Sequence, residues 1–289
     1  AATVSVREDH VEVDFTGTDP MSRWGINCPI IYSKAYACYA LKCMVAPDIP
    51  NNAASLAFFT VSSPVNILNA VRPAPVALRH IFGHMVPDLV LGAFSKALPG
   101  KILAEGAGAL WNIHISARPV AGASGRRAEV LMFNSGGMGA RPELDGLSAT
   151  AFPSGVHTMP IEATEHTGPI VIWRKELRPN SGGDGEFRGG LGQIIEIAAT
   201  DGHEFDFSAM FDRVNHPPRG RNGGEPGVAG VVKLDDGTKM RPKGWQHVPA
   251  GRRLILELPG GGGYGDPAKR SAAARANDRS KGYISENDQ

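Results

Sequence analysis

The sequence predicts an α+β chain: a helical first third followed by a glycine-rich, mainly antiparallel β region. Three observations lead there. Before about residue 100 the longer apolar patterns recur at steps of three and four residues, the period of a helix face. After about residue 101 they alternate, or run apolar for short lengths between glycine clusters, as strands do. Glycine (36 residues) and proline (22 of 289) are abundant but lack a collagen period and lie among apolar runs, which points to many fixed turns and not to disorder. The helix-containing part spans residues 1–100, the β-rich part 101–268 and a tail 269–289. No linker is long enough to require two independent domains.

The elements follow in order. The first residues, "AATVSVREDHVEVDF", alternate like a strand, with Val11, Val13 and Phe15 on one side of Glu12 and Asp14, and stop at the turn residues of "TGTDP". A helix is expected across "SKAYACYALKCMVA", capped by Ser33, with Tyr36, Tyr39, Ala40 and Cys43 along one face and Cys38 and Cys43 as small core residues. Prolines bracket an extended segment, "LAFFTVSSPVNIL". A second helical stretch begins near Val76, is interrupted at Pro87 and restarts at Asp88 through "DLVLGAFSKAL". The β region comprises "LWNIHISARPV", "AEVLMFNSGGMGA", "PIVIWRKEL", "GQIIEIAAT", "EFDFSAMF", "VAGVVKL" and "RRLILEL", with a tight hairpin at "LDDGT".

Composition narrows the function. With 42% hydrophobic and 20% charged residues the chain reads as soluble and globular, and 30 basic against 29 acidic residues make no electrostatic case for nucleic acid or an anionic membrane. Cys28, Cys38 and Cys43 are odd in number and confined to one stretch, so free thiols and a reducing, cytoplasmic setting are expected. No apolar run is long enough to cross a bilayer, and the start does not read as a signal peptide. The chain lacks an initiator Met, opens in mid-strand and ends in the polar "YISENDQ", so it is expected to be a piece of something longer.

"PNSGGDGEFRGGLGQ" at 179–193 is the densest glycine block. It lacks the Lys-Ser/Thr of a Walker loop and the strand-to-helix setting of a dinucleotide loop, since a strand follows it. It reads as a backbone device: glycines supply positive φ, at least at one of Gly183, Gly185, Gly189 and Gly190, and close packing, while Arg188 pairs with a carboxylate. "PGGGGYG" at 259–265 meets the GxGxxG spacing, but four consecutive glycines fit almost any spacing. His80 and His84 share a helical face without the HExxH pattern or a nameable third ligand, and read as an ordinary half-buried face. His203 and Asp206 fall on opposite faces of a strand. Ser154 sits in a turn with no base to activate it, and no GxSxG elbow occurs. Glu162 and Glu165, close to His166, could share a proton or anchor an arginine.

Taken in order, "VDFTGTDP", "PNN", "RPAPV", "FNSGGMGARPELDGLSAT", "PIEATE", "LRPNSGGDGEFRGGLGQ", "PPRGRNGG", "PGGGGYGDPAKR" and "GYISEN" resemble the C-terminal half of the hydantoinase B family over nearly the whole chain. That family includes B subunits of N-methylhydantoinases, the matching region of 5-oxoprolinases, and subunits of acetone and acetophenone carboxylases and a lactamase. The resemblance implies a hetero-oligomer with a hydantoinase A-like subunit that binds ATP and Mg and phosphorylates a small cyclic amide or enolised ketone, the B subunit completing hydrolysis or carboxylation. Phosphorylating an unstrained amide oxygen creates a leaving group. The family's metal-binding His and Asp residues lie in an N-terminal half with a stretch like NDPxxGGTHxxD, which is not present here. No metal or cofactor site is therefore expected in this chain, and a divalent metal is assigned to the N-terminal half of the B subunit, a second expected partner. The chain alone is expected to be inactive.

Asn27, Glu162, Glu165 and Asp14 are the substrate-cleft candidates, because they sit in or beside family-like blocks at strand ends or proline-fixed turns. Asn27 could bond a carbonyl oxygen, Glu162 or Glu165 could orient a group from the other half, and Asp14 could fix its own turn. A ketone carboxylase subunit and a noncatalytic assembly module are the alternatives to a cyclic-amide hydrolase.

Overall fold

The computed structural model describes residues 1–108 and 110–285, and the chain divides into two units, Ala1–Leu103 and Ala104–Gln289. The expected tail runs on through 286–289, which lie outside the described residues.

In the first unit, β1 (Thr3–Val6) and β2 (Val11–Asp14) form an antiparallel pair, and α1 (Ile30–Val45) and α2 (Ala53–Leu56) lead to β3 (Phe59–Ser62), which pairs with β2 in parallel. A parallel pair needs such a crossover, since a tight turn cannot reverse the chain twice. α3 (His80–Gly83) and α4 (Val86–Phe94) follow, with Pro87 in the first turn of α4, where its missing N–H costs nothing. α1 packs against α4, burying Ala37, Leu41, Val90, Leu91 and Phe94.

This unit overturns the expected helical first third. A three-stranded sheet stands within it, helices also occur late in the chain, and strand (26%) exceeds helix (18%) overall. The strands are four residues each, too short for alternation to outweigh the helical periodicity around them. The face of α1 differs too. The helix starts at Ile30 behind Pro29, so Ser33 lies inside it, buried, and donates to the Leu68 carbonyl at 2.7 Å instead of capping. Cys38 is buried as expected, whereas Cys43 and Tyr39 are exposed.

In the second unit, β4 (Trp111–Pro119) and β5 (Ala128–Asn134) precede α5 (Ile161–Glu165). They are followed by β6 (Ile170–Leu177), β7 (Gln193–Ala199), β8 (His203–Met210), β9 (Val231–Leu234), β10 (Lys243–Val248) and β11 (Arg253–Glu257). Two antiparallel sheets result, ordered β10-β8-β4-β5 and β6-β7-β11-β9. Ile113, Ile115, Phe205 and Phe207 from one sheet and Ile195, Ile197, Leu254 and Leu256 from the other are fully buried in one apolar core, a β-sandwich. Trp111 stacks on Phe211 at 4.4 Å and donates from Nε1 to the Asp212 carbonyl at 3.0 Å, which satisfies its one polar atom.

Beside the sandwich the glycine blocks meet. Successive N–H groups of the 259–265 stretch bond to different segments: Gly261 to Gly190 O (2.8 Å), Gly262 to Glu105 O (2.9 Å), Gly263 to Glu225 O (2.8 Å) and Tyr264 to Phe187 O (2.9 Å). Gly190 N reaches Met138 O at 2.8 Å. Backbones this close leave no room for side chains: a Cβ on Gly185 would lie 2.6 Å from both N and O of Tyr264. Gly183, Gly185, Gly189 and Gly190 all lack positive φ, contrary to expectation; close approach, and not left-handed backbone, requires glycine there.

A 3₁₀ turn (Pro267–Lys269) and α6 (Ala272–Ser280) close over this glycine assembly. Arg270 donates to both oxygens of Asp145 (2.8 Å each) and to buried Asp278 (2.6 Å). Arg188 Nε meets Asp278 at 3.4 Å, supplying the carboxylate partner expected for it, and its guanidinium lies over Tyr283.

Candidate functional site

In the first unit, Asp14 ends β2. Its Oδ1 accepts from Thr16 N (3.0 Å), Thr16 Oγ1 (2.9 Å) and Ser62 Oγ (3.4 Å), closing its own turn and tying β2 to β3. Asn27 is wholly buried and folds the loop before α1. Its Oδ1 accepts from Ser22 N (2.7 Å), while Nδ2 donates to the carbonyls of Ser22 (2.8 Å), Trp24 (2.9 Å) and Pro75 (2.8 Å). The loop so held presents Trp24, 63% exposed, with the Arg23 guanidinium 4.9 Å from its ring centre. Asn27 thus has its amide fully engaged by backbone, and any contact with substrate would run through the loop it shapes.

Next to this loop lies a cluster of rings. Tyr32 and Tyr36 are 5.1 Å apart, Tyr36 and His84 5.4 Å, and His84 and His80 5.8 Å, between ring centres. The two histidines share a face, as their spacing predicts. His84 is buried, its Nδ1 has no hydrogen-bond partner, and burial followed by the charge of His80 pushes its pKa down to about 4. Its imidazole is therefore neutral at neutral pH. Cys28, also buried, donates from Sγ to the Arg79 carbonyl at 3.1 Å, and burial pushes its thiol up to about 12. Burial likewise raises Tyr32. Both stay protonated, so neither is poised as a nucleophile.

In the second unit, α5 starts behind Pro160 and places Glu162 in its first turn, exposed to solvent. Glu165 Oε1 accepts from Ile172 N at 2.7 Å, which covers an edge N–H of β6 beside the bulge at residues 172–174. The two carboxylates therefore share a helix and differ in role. Glu165 is committed to backbone, whereas Glu162 is free to face a partner or substrate.

Sequence reasoning missed Glu105. It is 3% exposed and receives Arg213 Nη1 (3.0 Å), Arg219 Nε (2.8 Å) and Arg219 N (3.1 Å). Burial alone would raise its pKa; the Arg219 bonds and the Arg213 charge outweigh burial and hold it below the usual carboxylate value. The signal was present as one acid in "LAEGAG" and two arginines in "PPRGRNGG", but their meeting is a tertiary event. Among the described residues, no group of three or more His, Cys, Asp or Glu is placed to hold a metal ion, and no helix is long and apolar enough to cross a membrane.

A family model described as hydantoinase B/oxoprolinase matches residues 1–267. The B subunit of the putative D-/L-hydantoinase of Pseudomonas sp. (strain NS671) is 29% identical over 302 residues, covering 98% of this chain and 49% of that protein. The crystal structure of the ATP-dependent caprolactamase from Pseudomonas jessenii superposes with a TM-score of 0.83 at 25% identity, over 98% of this chain and 51% of that one. A nucleotide-free acetone carboxylase structure shares the fold, with a TM-score of 0.78 at 17% identity over 99% of this chain and 43% of that one. The chain spans about half the length of these relatives.

Proposed function

The chain belongs to the hydantoinase B/oxoprolinase family, and on that premise we propose that it is part of the B-type subunit of an ATP-dependent cyclic-amide hydrolase. The observation that carries this reading is the superposition of 98% of the chain on an ATP-dependent caprolactamase, together with a family match that runs through both units. An unstrained amide resists water, and ATP, bound with Mg by an A-type partner subunit, would supply the phosphoryl group that turns its oxygen into a leaving group.

Within that assembly we assign each of the two units a role of its own. Asn27 fixes the loop that carries Arg23 and Trp24, and Asp14 fixes the turn behind it. His84 offers a neutral imidazole nitrogen still without a partner. In the second unit, Glu165 anchors α5 so that Glu162 faces outward. Glu162 is the carboxylate we assign to orienting a group of the other half of the subunit. The cytoplasm suits three free cysteines and an ATP-driven reaction.

A ketone carboxylase subunit is the second reading, favoured by the fold shared with acetone carboxylase. The full engagement of the Asn27 amide by backbone, and the bond that ties Glu165 Oε1 to Ile172 N, favour the third, an assembly module without a catalytic group. Assembling the chain with an A-type subunit and the other half, then supplying ATP with a hydantoin, 5-oxoproline or caprolactam, or with a ketone and labelled bicarbonate, separates them. Ring opening supports the hydrolase, label incorporation the carboxylase. Turnover indifferent to Glu162→Gln and His84→Gln at unchanged assembly supports the module.

A further inference from the structure

In the first unit, where the turn between β1 and β2 approaches the C-terminal end of α1 and the start of β3, lies a groove of about 620 Å³. Val6, Val45, Ile49 and Phe58 line it and are 55%, 50%, 54% and 59% exposed. Val11 and Phe59, both buried, lie deeper, and Arg7, Glu8, Asp9 and His10 of the turn give it a polar rim. An apolar centre with a polar rim is the anatomy of a protein interface.

β1, which leads into the groove at Val6, is an edge of its sheet. Its residues, Thr-Val-Ser-Val, pair regularly with β2 and hold no charge, proline or bulge, so its four-residue length is what limits further pairing. The apolar groove beside it is the surface that a cover would bury.

Length identifies that cover. The chain aligns over 98% of itself to relatives of which it forms 49% and 51%, so in each of them a stretch about as long again belongs with this one. We propose that this groove is the docking surface for the other half of a B-type subunit, which fills it with an uncharged apolar segment. The proposal rests on the reading of the chain as part of such a subunit. Phe58 and Val6 are its anchors, since truncating the large apolar side chains at the centre of an interface costs most of its affinity.

The test co-expresses the full chain with a tagged probe, the half of the Pseudomonas sp. hydantoinase B subunit that this chain does not match, and measures the complex recovered. The unaltered chain is captured. Val6→Asp with Phe58→Asp lowers recovery at least tenfold while the melting temperature of the chain holds, because both side chains are already in solvent. Trp173→Asp, at a site 64% exposed in the second unit, leaves recovery unchanged. Hydrogen exchange on the unaltered complex supplies a readout free of mutation: residues 6–11 and 42–59 become protected. Capture unaffected by the double change, equal loss from Trp173→Asp, or protection that spares those residues overturns the groove while leaving the subunit reading intact. Failure of the unaltered chain to be captured removes the subunit reading itself, and the groove with it.

Discussion

Replacing Gly185 with alanine adds one methyl group where three backbone atoms already stand. The new Cβ would lie 2.6 Å from Tyr264 N, 2.6 Å from Tyr264 O and 2.7 Å from Phe187 O, against a floor near 3.0 Å for real contacts. These atoms belong to the reciprocal pair Phe187 N to Tyr264 O and Tyr264 N to Phe187 O, both 2.9 Å. Relief therefore requires parting the pair. Two backbone bonds at about 1 kcal/mol each, added to about 1–3 kcal/mol for overpacking, give a loss of about 3–5 kcal/mol. Gly106 lies in the same assembly, but its added Cβ finds nothing nearer than 3.5 Å, and its φ is not positive. Gly106→Ala should stabilise by about 0.4–1 kcal/mol, through the unfolded chain. Urea unfolding followed by the emission of buried Trp111 reads both, the other three tryptophans being more than half exposed. A cost below about 1 kcal/mol for Gly185→Ala, or equal harm from Gly106→Ala, would refute close backbone approach as the reason for glycine there.

His84 is neutral in the fold and ordinary when unfolded, so the unfolded state takes up its proton first as pH falls. Stability present above about 6.5 should drain away between about 6.5 and 4, by about 3 kcal/mol, and a His84→Phe variant should lack that dependence in urea titrations at pH 7.5 and 4.5. Cys43 should be the single thiol labelled by maleimide in the native chain, with buried Cys28 and Cys38 reacting only after unfolding; mass spectrometry counts the adducts, and fast labelling of Cys28 would contradict its raised pKa. Arg270→Ala strips both Asp145 and the buried Asp278 of a partner and should cost about 3–5 kcal/mol, with exchange rising across 272–285; an undisturbed α6 would show that the ion network does not hold it.

The strands of the sandwich were readable because apolar alternation is a local signal: Ile113 and Ile115, Phe205 and Phe207, Leu254 and Leu256 each mark the buried face without knowledge of the partner strand. β10 escaped notice, since "KGWQHV" exposes Lys243, Gly244 and Trp245 and carries no such alternation. β1, β2 and β3 were legible as short extended runs, but their joining into one sheet was not, because the β2–β3 pair is parallel and spans α1 and α2. The glycine blocks were recognised as backbone devices, yet the sequence cannot distinguish a glycine that turns, such as Gly265 at φ 74°, from one that lets another backbone approach, such as Gly185. The candidate site was less legible still. What Asn27 and Glu165 bond to is set by Ser22, Pro75 and Ile172, and nothing in the residue types announces those partners.

The most direct test of the account is turnover of a cyclic amide by the assembled particle with and without this chain. With the A-type subunit, the other half of the B-type subunit, ATP and Mg present, adding this chain should switch on ring opening of a hydantoin, 5-oxoproline or caprolactam, with phosphate released as rings open. Ring opening at full rate in its absence would contradict the account. So would a complete assembly that incorporates bicarbonate into a ketone and opens none of these rings.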